Sequence, residues 1–126
     1  MRVVDALRIL ETAILDCKDC KTRGIDTSDV RKALEVLEPY CWPDWRIDGF
    51  RHQLISHKKN GPDKNQQQIL AGYFGGIYGC VRNMLALELE RLNYRLRQTP
   101  DALIRAEADL LTTELASLPD SWRFSD

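Results

Sequence analysis

Apolar residues recur along most of this sequence at alternating intervals of three and four positions, which aligns them on one face of an α-helix. The first such stretch runs from Arg2 to about Lys21. Its apolar positions are Val3, Leu7, Leu10, Ile14 and Cys17. Because the period-two alternation typical of half-buried strands is nearly absent, the pattern predicts an all-α fold. We expect one helical domain over residues 1–126, built as a mainly antiparallel bundle of four to five helices.

Residues that cap or break helices divide the first half of the chain. Gly24 is expected to end the first helix, and Asp26–Ser28 to cap a second helix that stops at Pro39. A third helix is expected to begin near Pro43 and to end before a loop at Lys58–Pro62. The predicted buried positions are Val30, Ala33, Leu34 and Leu37 in the second helix, and Trp45, Ile47, Phe50 and Leu54 in the third.

The second half of the chain predicts one long helix and one of ordinary length. A capping pattern at Asp63 and Gln66 opens a fourth helix that runs to about Gln98. A fifth helix follows, with Thr99 as its N-cap and a proline in its first turn, and it stops before a short tail at 119–126. The apolar positions predicted for the fifth helix are Leu103, Ala106, Leu110, Leu111 and Leu115.

The long fourth helix contains a row of glycines on one face. Gly72, Gly75, Gly76 and Gly79 stand at i, i+3, i+4 and i+7, and each costs about 1 kcal/mol relative to alanine in a helix interior. Three explanations would offset this cost. The first is that another helix, from the same chain or from a second copy, crosses the long helix closely at this face. The second is that a ligand approaches the backbone, and the third is that the helix breaks here. The glycines match no phosphate-binding motif.

Two further apolar features are candidate contacts with a protein partner. One is a seam of leucines in the second half of the long helix, and the other is the aromatic tail. Together with the four glycines, the candidate interaction residues are Leu85, Leu89, Leu92, Leu96, Trp122 and Phe124. Because no complete catalytic constellation is visible, we expect a non-catalytic interaction or regulatory module that binds another protein or a second copy of itself.

Arg51 and His57 supply an alternative function. They stand near the end of the third helix, six positions apart. The pair resembles the Arg-x(4–6)-His signature of HEPN domains, which are helical bundles that often act as metal-independent ribonucleases or toxin components. By that resemblance Arg51 would bind phosphate and His57 would transfer protons at the ribose hydroxyl. The other interpretation is that both are solvated residues near a helix C-terminus, where cations suit the dipole.

The cysteines predict neither a metal site nor a cofactor. Cys17 and Cys20 form one Cys-x-x-Cys pair near the end of a helix, where the dipole disfavours a thiolate, and no second such pair completes a zinc site. Cys41 and Cys80 stand alone in the sequence. Since no secretory signal is evident at the N-terminus, we expect reduced thiols and a cytoplasmic location.

The charge balance favours neither nucleic acid nor a membrane as a partner. The net charge is −1, from 18 basic and 19 acidic residues, so the chain has no global field that attracts polyanions. Arg91, Arg95 and Arg97 form a modest basic cluster of the kind common on solvated helices, and we expect Arg91 to pair with Glu88. No apolar segment reaches the length of about 20 residues that crosses a bilayer.

Overall fold

The computed structural model describes residues 1–18, 27–60 and 64–123, and these residues form five α-helices and one short 3₁₀ turn. The helices are α1 (Val3–Lys18), α2 (Thr27–Leu37), α3 (Trp45–Asn60), α4 (Lys64–Gln98) and α5 (Ala102–Ala116), and the 3₁₀ turn (Glu38–Tyr40) follows α2. No strand occurs in the described ranges, and the helices pack as a bundle. The predicted all-α fold is confirmed.

The central element of the bundle is α4. It has 35 residues, which corresponds to a length of about 52 Å at the usual helical rise. It packs against α1, α3 and α5, whereas α2 packs mainly against α1. The 3₁₀ turn lies against both α2 and α4. One cluster of buried apolar side chains has members in all five helices, so the helices share a core.

The buried faces of α1 and α2 follow the predicted spacing. In α1 the side chains of Leu7, Leu10 and Ile14 are buried and Val3 is partly buried. In α2 all four predicted positions are buried: Val30, Ala33, Leu34 and Leu37. The predicted core position Cys17 has a side chain outside the described residues.

One hydrogen bond joins α1 to α4 inside the core. Gln67 is the buried polar side chain among the described residues, and its Nε2 donates to the carbonyl oxygen of Ile14 at 2.8 Å. Buried amides are rarely left without a partner, because an unsatisfied one costs about 1–3 kcal/mol. The bond therefore satisfies Gln67 and fixes α4 against the last turns of α1.

The structure corrects two predictions for α3. Trp45 was expected in the core, but it occupies the first position of the helix and is 53% exposed. The helix also continues to Asn60 instead of ending before the predicted loop, since lysine is a good helix former and the proline that follows lies at position 62. The remaining predicted positions Ile47, Phe50 and Leu54 are buried.

The structure also corrects the cap and the face of α5. Its N-cap is Asp101 and not Thr99: the Asp101 carboxylate accepts from the backbone N–H groups of Leu103 at 2.8 Å and Ile104 at 3.1 Å. The sequence carries two overlapping apolar stripes, and the one that faces the core consists of Ile104, Ala108, Leu111 and Leu115. The predicted positions Leu103, Ala106 and Leu110 are exposed.

The C-terminal tail lies against α1 and α4. Burial raises the pKa of Tyr78, whose hydroxyl donates to the carbonyl oxygen of Pro119. The Trp122 ring meets the Phe74 ring edge-on, with 4.6 Å between centroids. The indole Nε1 of Trp122 donates to Glu11 Oε2 at 2.8 Å. These contacts hold the described part of the tail on the bundle.

Candidate functional site

The glycines of α4 lie within an unbroken helix. The helix runs without interruption through Gly72, Gly75, Gly76 and Gly79, so a break at this point is excluded as the explanation of the glycines. At about 100° per residue, the four positions occupy a sector of about 100° on the helix surface. We call this sector the glycine face.

Two members of the glycine face are covered by other parts of the chain. An ideal Cβ atom at Gly76 would lie 2.5 Å from both Cδ and Nε of Arg46, which reaches across from α3. At Gly75 the nearest atom to an ideal Cβ is Cε3 of Trp122, at 4.0 Å. Internal packing therefore accounts for Gly76, and Gly75 lies at the edge of the tail.

The other two members of the glycine face are open. Around an ideal Cβ at Gly72 or Gly79, no atom of the described residues lies within 4 Å. A shallow depression of about 340 Å³ runs beside Gly72; its lining consists of Gln68, Ala71, Gly72, Gly75, Trp122 and Arg123. Of the two exposed glycines, Gly72 thus lines this depression, with Trp122 among the residues around it.

Large apolar side chains are exposed near the glycine face. Along α4, Ile69 precedes the glycines and Leu87 follows them on the same side of the helix, and Met84 lies farther around it. Trp45, at the start of α3, is exposed and packs against Tyr73 and Arg46, and Trp42 is 85% exposed. Tryptophan and methionine are enriched at protein interfaces. Sequence reasoning missed both tryptophans, although their position beside Pro43, between two helices, could have indicated exposure.

The leucine seam and Trp122 of the aromatic tail pack against the core of the same chain. Leu85 and Leu92 are buried, and Leu89 and Leu96 pack partly buried against the core. Trp122 is partly buried on α4, and Phe124 lies outside the described residues. Of the predicted interaction residues that the structure describes, Gly72 and Gly79 are the fully accessible pair.

Comparison with known proteins adds no relative to this geometry. No family model matches the sequence, and neither the curated proteins nor the solved structures contain a match. No helix among the described residues is long and apolar enough to cross a membrane. The same residues contain no group of three or more His, Cys, Asp or Glu side chains placed to hold a metal ion.

Arg51 and His57 do not share a face of α3. Six positions on a continuous helix separate them by about 120° around the axis. The Arg51 guanidinium is paired with the Asp48 carboxylate at 2.9 Å, within one turn of the same helix. The side chain of His57 lies outside the described residues, and His52 is exposed. The ribonuclease hypothesis stays a prediction, and the described geometry supplies no observation in its favour.

The basic cluster on α4 is a solvated surface. Arg91 pairs with Glu88, as the sequence predicted, and the guanidinium of Arg97 lies 6.0 Å from the centre of the Tyr94 ring. Arg95 is exposed. Two of these side chains are thus engaged with residues of their own helix.

Cys80 lies close enough to Cys41 to influence the ionisation of that thiol, and sequence reasoning did not connect the two residues. Cys41 follows the 3₁₀ turn and is buried, whereas Cys80 on α4 is partly exposed. Burial is the main cause that raises the pKa of Cys41 to about 11, and the charge of Cys80 acts in the same direction. The Cys41 Sγ donates to the carbonyl oxygen of Pro43 at 4.0 Å. The Arg46 Nη1 donates to Cys80 Sγ at 3.5 Å. A separation of 39 positions hides this pair in the sequence.

The side chains of the Cys-x-x-Cys motif lie outside the described residues. Cys17 belongs to the last turn of α1, and its side chain is outside the described residues. Cys20 also lies outside them. The prediction that both are core or surface thiols stays untested.

Proposed function

We propose that this chain is a non-catalytic interaction module that pairs with a second copy of itself through the glycine face of α4. The observation that supports the proposal is the open space over Gly72 and Gly79. Within a helix, each glycine costs about 1 kcal/mol relative to alanine, and here nothing in the described chain uses the missing side chains. A second helix that approaches closely would use them, because small residues allow two helix backbones to come near each other.

The geometry of the glycine face suits a symmetric pair. In an antiparallel two-fold crossing centred between Gly75 and Gly76, Gly72 of one copy lies opposite Gly79 of the other, since both are equally far from the centre, and the Arg46 and Trp122 side chains over the central glycines would have to move aside. Between Lys64 and Arg82 the helix carries no charged residue. The centre of such a crossing would therefore bring no like charges of α4 together.

The exposed apolar flank would enlarge the contact. Ile69 on α4 and Trp45 on α3 are exposed beside the glycine face, and Leu87 and Met84 are exposed farther along and around α4. Burial of such side chains on association contributes roughly 25 cal/mol per Å² of apolar surface. A crossing limited to glycines would bury little apolar area, so these residues would supply most of the affinity.

The test uses Gly72→Leu and Gly79→Leu. In the isolated chain a Cβ atom at either position meets no described atom within 4 Å, and each substitution removes a helix-interior glycine, so the melting temperature should stay the same or rise. In the pair each leucine would separate the two backbones. We expect sedimentation velocity to show a concentration-dependent dimer for the wild type and a 14.5 kDa monomer for both variants.

Ala106→Leu is the matched control, because it adds the same side chain to an exposed position of α5, away from the glycine face. This variant should dimerise like the wild type. A wild type that stays monomeric at every concentration, or variants that dimerise as tightly as the wild type, would rule out self-association through the glycine face.

A further inference from the structure

The C-terminal tail runs along α4 beside the glycine face. The carbonyl oxygen of Pro119 accepts a hydrogen bond from the Tyr78 hydroxyl, and the Asp120 carboxylate pairs with Arg82 at 3.0 Å. Tyr78 and Arg82 stand one helical turn apart on α4, and Gly79 directly follows Tyr78. Because successive positions on a helix differ by about 100°, the tail lies over the strip of α4 next to the glycine face.

Trp122 extends this cover onto the glycine face itself. Its ring packs edge-on against Phe74, with 4.6 Å between centroids, and its Nε1 donates to Glu11 of α1 at 2.8 Å. In this position Cε3 lies 4.0 Å from an ideal Cβ at Gly75, and Trp122 also lines the depression beside Gly72. One side chain of the tail therefore occupies the edge of the surface that the proposed pairing uses.

The Trp122 ring and a second copy of α4 cannot both lie against the centre of the glycine face. A helix with its side chains is about 10 Å wide. A second α4 that crosses between Gly75 and Gly76, closely enough to use the glycines, would overlap the Trp122 ring, because that ring already lies against Gly75. Pairing therefore requires the ring to leave its position.

The tail is held by contacts that can open while the bundle stays folded. Between positions 117 and 123 the chain forms no helix or strand. Asp120 is fully exposed, and surface ion pairs contribute little to stability. Trp122 is partly buried against the core and is the principal contact of the tail. Terminal segments with few buried contacts open locally at a lower free energy than the global unfolding of the protein.

We infer that the C-terminal tail is an autoinhibitory segment that competes with the second copy for the glycine face, with Trp122 as the competing side chain. This inference rests on the proposed self-association of the chain. Pairing proceeds from the molecules in which the ring has left Gly75, so the apparent dissociation constant of the dimer rises as the fraction of those molecules falls.

The first experiment compares the dimerisation of the wild type and Trp122→Ala by sedimentation velocity. Loss of the ring uncovers Gly75, so we expect the dissociation constant of the dimer to fall about tenfold, which corresponds to about 1.4 kcal/mol. Trp42→Ala is the matched control, because it makes the same substitution at a side chain that is 85% exposed and outside the tail. Its dissociation constant should equal that of the wild type. Circular dichroism shows that both variants are folded.

The second experiment follows Trp122 in the wild type without a substitution. Hydroxyl radicals oxidise exposed indole rings, and Trp122 is the one aromatic residue in the tryptic peptide that spans 106–123. We expect oxidation of this peptide, measured by mass spectrometry, to increase as the wild type is concentrated from monomer to dimer. In Gly79→Leu, which is expected to remain monomeric, oxidation should not increase. A Trp122 that is equally or less oxidised in the dimer would overturn the competition.

Failure of this inference differs from failure of the proposed function. If the wild type and Trp122→Ala both stay monomeric, self-association is wrong and the competition is wrong with it. If the wild type dimerises and Gly72→Leu and Gly79→Leu prevent the dimer, the pairing is supported. An unchanged or weaker dimer in Trp122→Ala would then overturn the autoinhibition alone.

Discussion

At the scale of single residues, the described glycine with the least room for a Cβ atom is one that the sequence pattern did not single out. Gly49 of α3 faces Tyr73 of α4, and an ideal Cβ at Gly49 would lie 2.4 Å from Cε1 of the tyrosine ring. Ring atoms cannot move aside as the end of a flexible chain does, because Trp45 packs edge-on against the same ring at 6.2 Å between centroids. Gly49 is thus required for the contact between the two helices.

Gly49→Ala should therefore destabilise the protein. Overpacking of this kind costs about 1–3 kcal/mol, which exceeds the gain of about 1 kcal/mol in helix propensity. Urea unfolding followed by circular dichroism measures the change. Gly72→Ala is the matched control, since it makes the same substitution in open space and should stabilise the chain. If both alanines raised the free energy of unfolding, the close contact at Gly49 would be disproved.

Gly49 and the glycines of α4 also show how much the sequence predicts about a single residue. The spacing correctly placed the glycines of α4 on one face of a helix, since periodicity defines faces. It could not tell that Gly76 is covered and Gly72 open, because that depends on which helix packs against each face. The close contact at Gly49 was not predictable, because this glycine stands alone and a single glycine gives no periodic signal.

At the scale of elements, the described part of the tail packs across α4 and α1. Trp122 is its principal contact: the ring packs on Phe74, and the indole N–H donates to Glu11 at 2.8 Å. The tail carries no helix or strand of its own in the described residues, so these side-chain contacts determine whether it stays on the bundle.

Trp122→Ala should lower the free energy of unfolding by about 2 kcal/mol, somewhat less than a fully buried tryptophan contributes, because the ring is only partly buried. Thermal or urea unfolding measures the loss. Trp42→Ala is the matched control, because that side chain is 85% exposed and its removal should leave the stability nearly unchanged. Equal effects of the two variants would contradict the packing of Trp122.

Element boundaries were predictable where the chemistry of a single residue decides them. The long helix α4 was predicted to end at about Gln98, and it does. The start of α5 was placed two residues too early, since Thr99 and Asp101 are both good N-caps and only the three-dimensional contacts select one. The prediction of the buried face of α5 was wrong for a related reason. Two apolar stripes overlap in the sequence, and the position of α4 decides which of them is buried.

At the scale of the whole molecule, buried acids make stability depend on pH in the alkaline range. Burial raises the pKa of Cys41 from 9.0 to about 11 and also raises that of Tyr78. The folded state therefore holds these protons more tightly than the unfolded state. The resulting stabilisation is fully present below the unfolded pKa and is lost as pH rises through the folded pKa.

For Cys41 we expect the free energy of unfolding to fall between pH 9 and about pH 11. Urea titrations across this range, in the presence of a reductant, measure the slope. Cys41→Ala should make the slope shallower without abolishing it, because Tyr78 still contributes. The comparison concerns the slopes and not the absolute stabilities, since the alanine also leaves a small cavity. Identical slopes would contradict the burial of the Cys41 thiol.

The fold class of the molecule followed from the sequence, but the arrangement of the helices did not. Hydrophobic spacing states that a helix such as α2 has one buried face, and the positions from Val30 to Leu37 were correct. It does not state which helix covers that face. For the same reason the hydrogen bond from Arg46 to Cys80 was unpredictable, because it depends on how α3 packs on α4.

The pairing of the helices also has a consequence for how fast the molecule forms. Three of the main helix pairs, α1 with α2, α3 with α4 and α4 with α5, join neighbours in the chain, and one, α1 with α4, joins distant segments. Chains dominated by local contacts close short loops and fold in microseconds to milliseconds. The slow part of the search is then the meeting of α1 with α4, and the Gln67–Ile14 hydrogen bond lies in that junction.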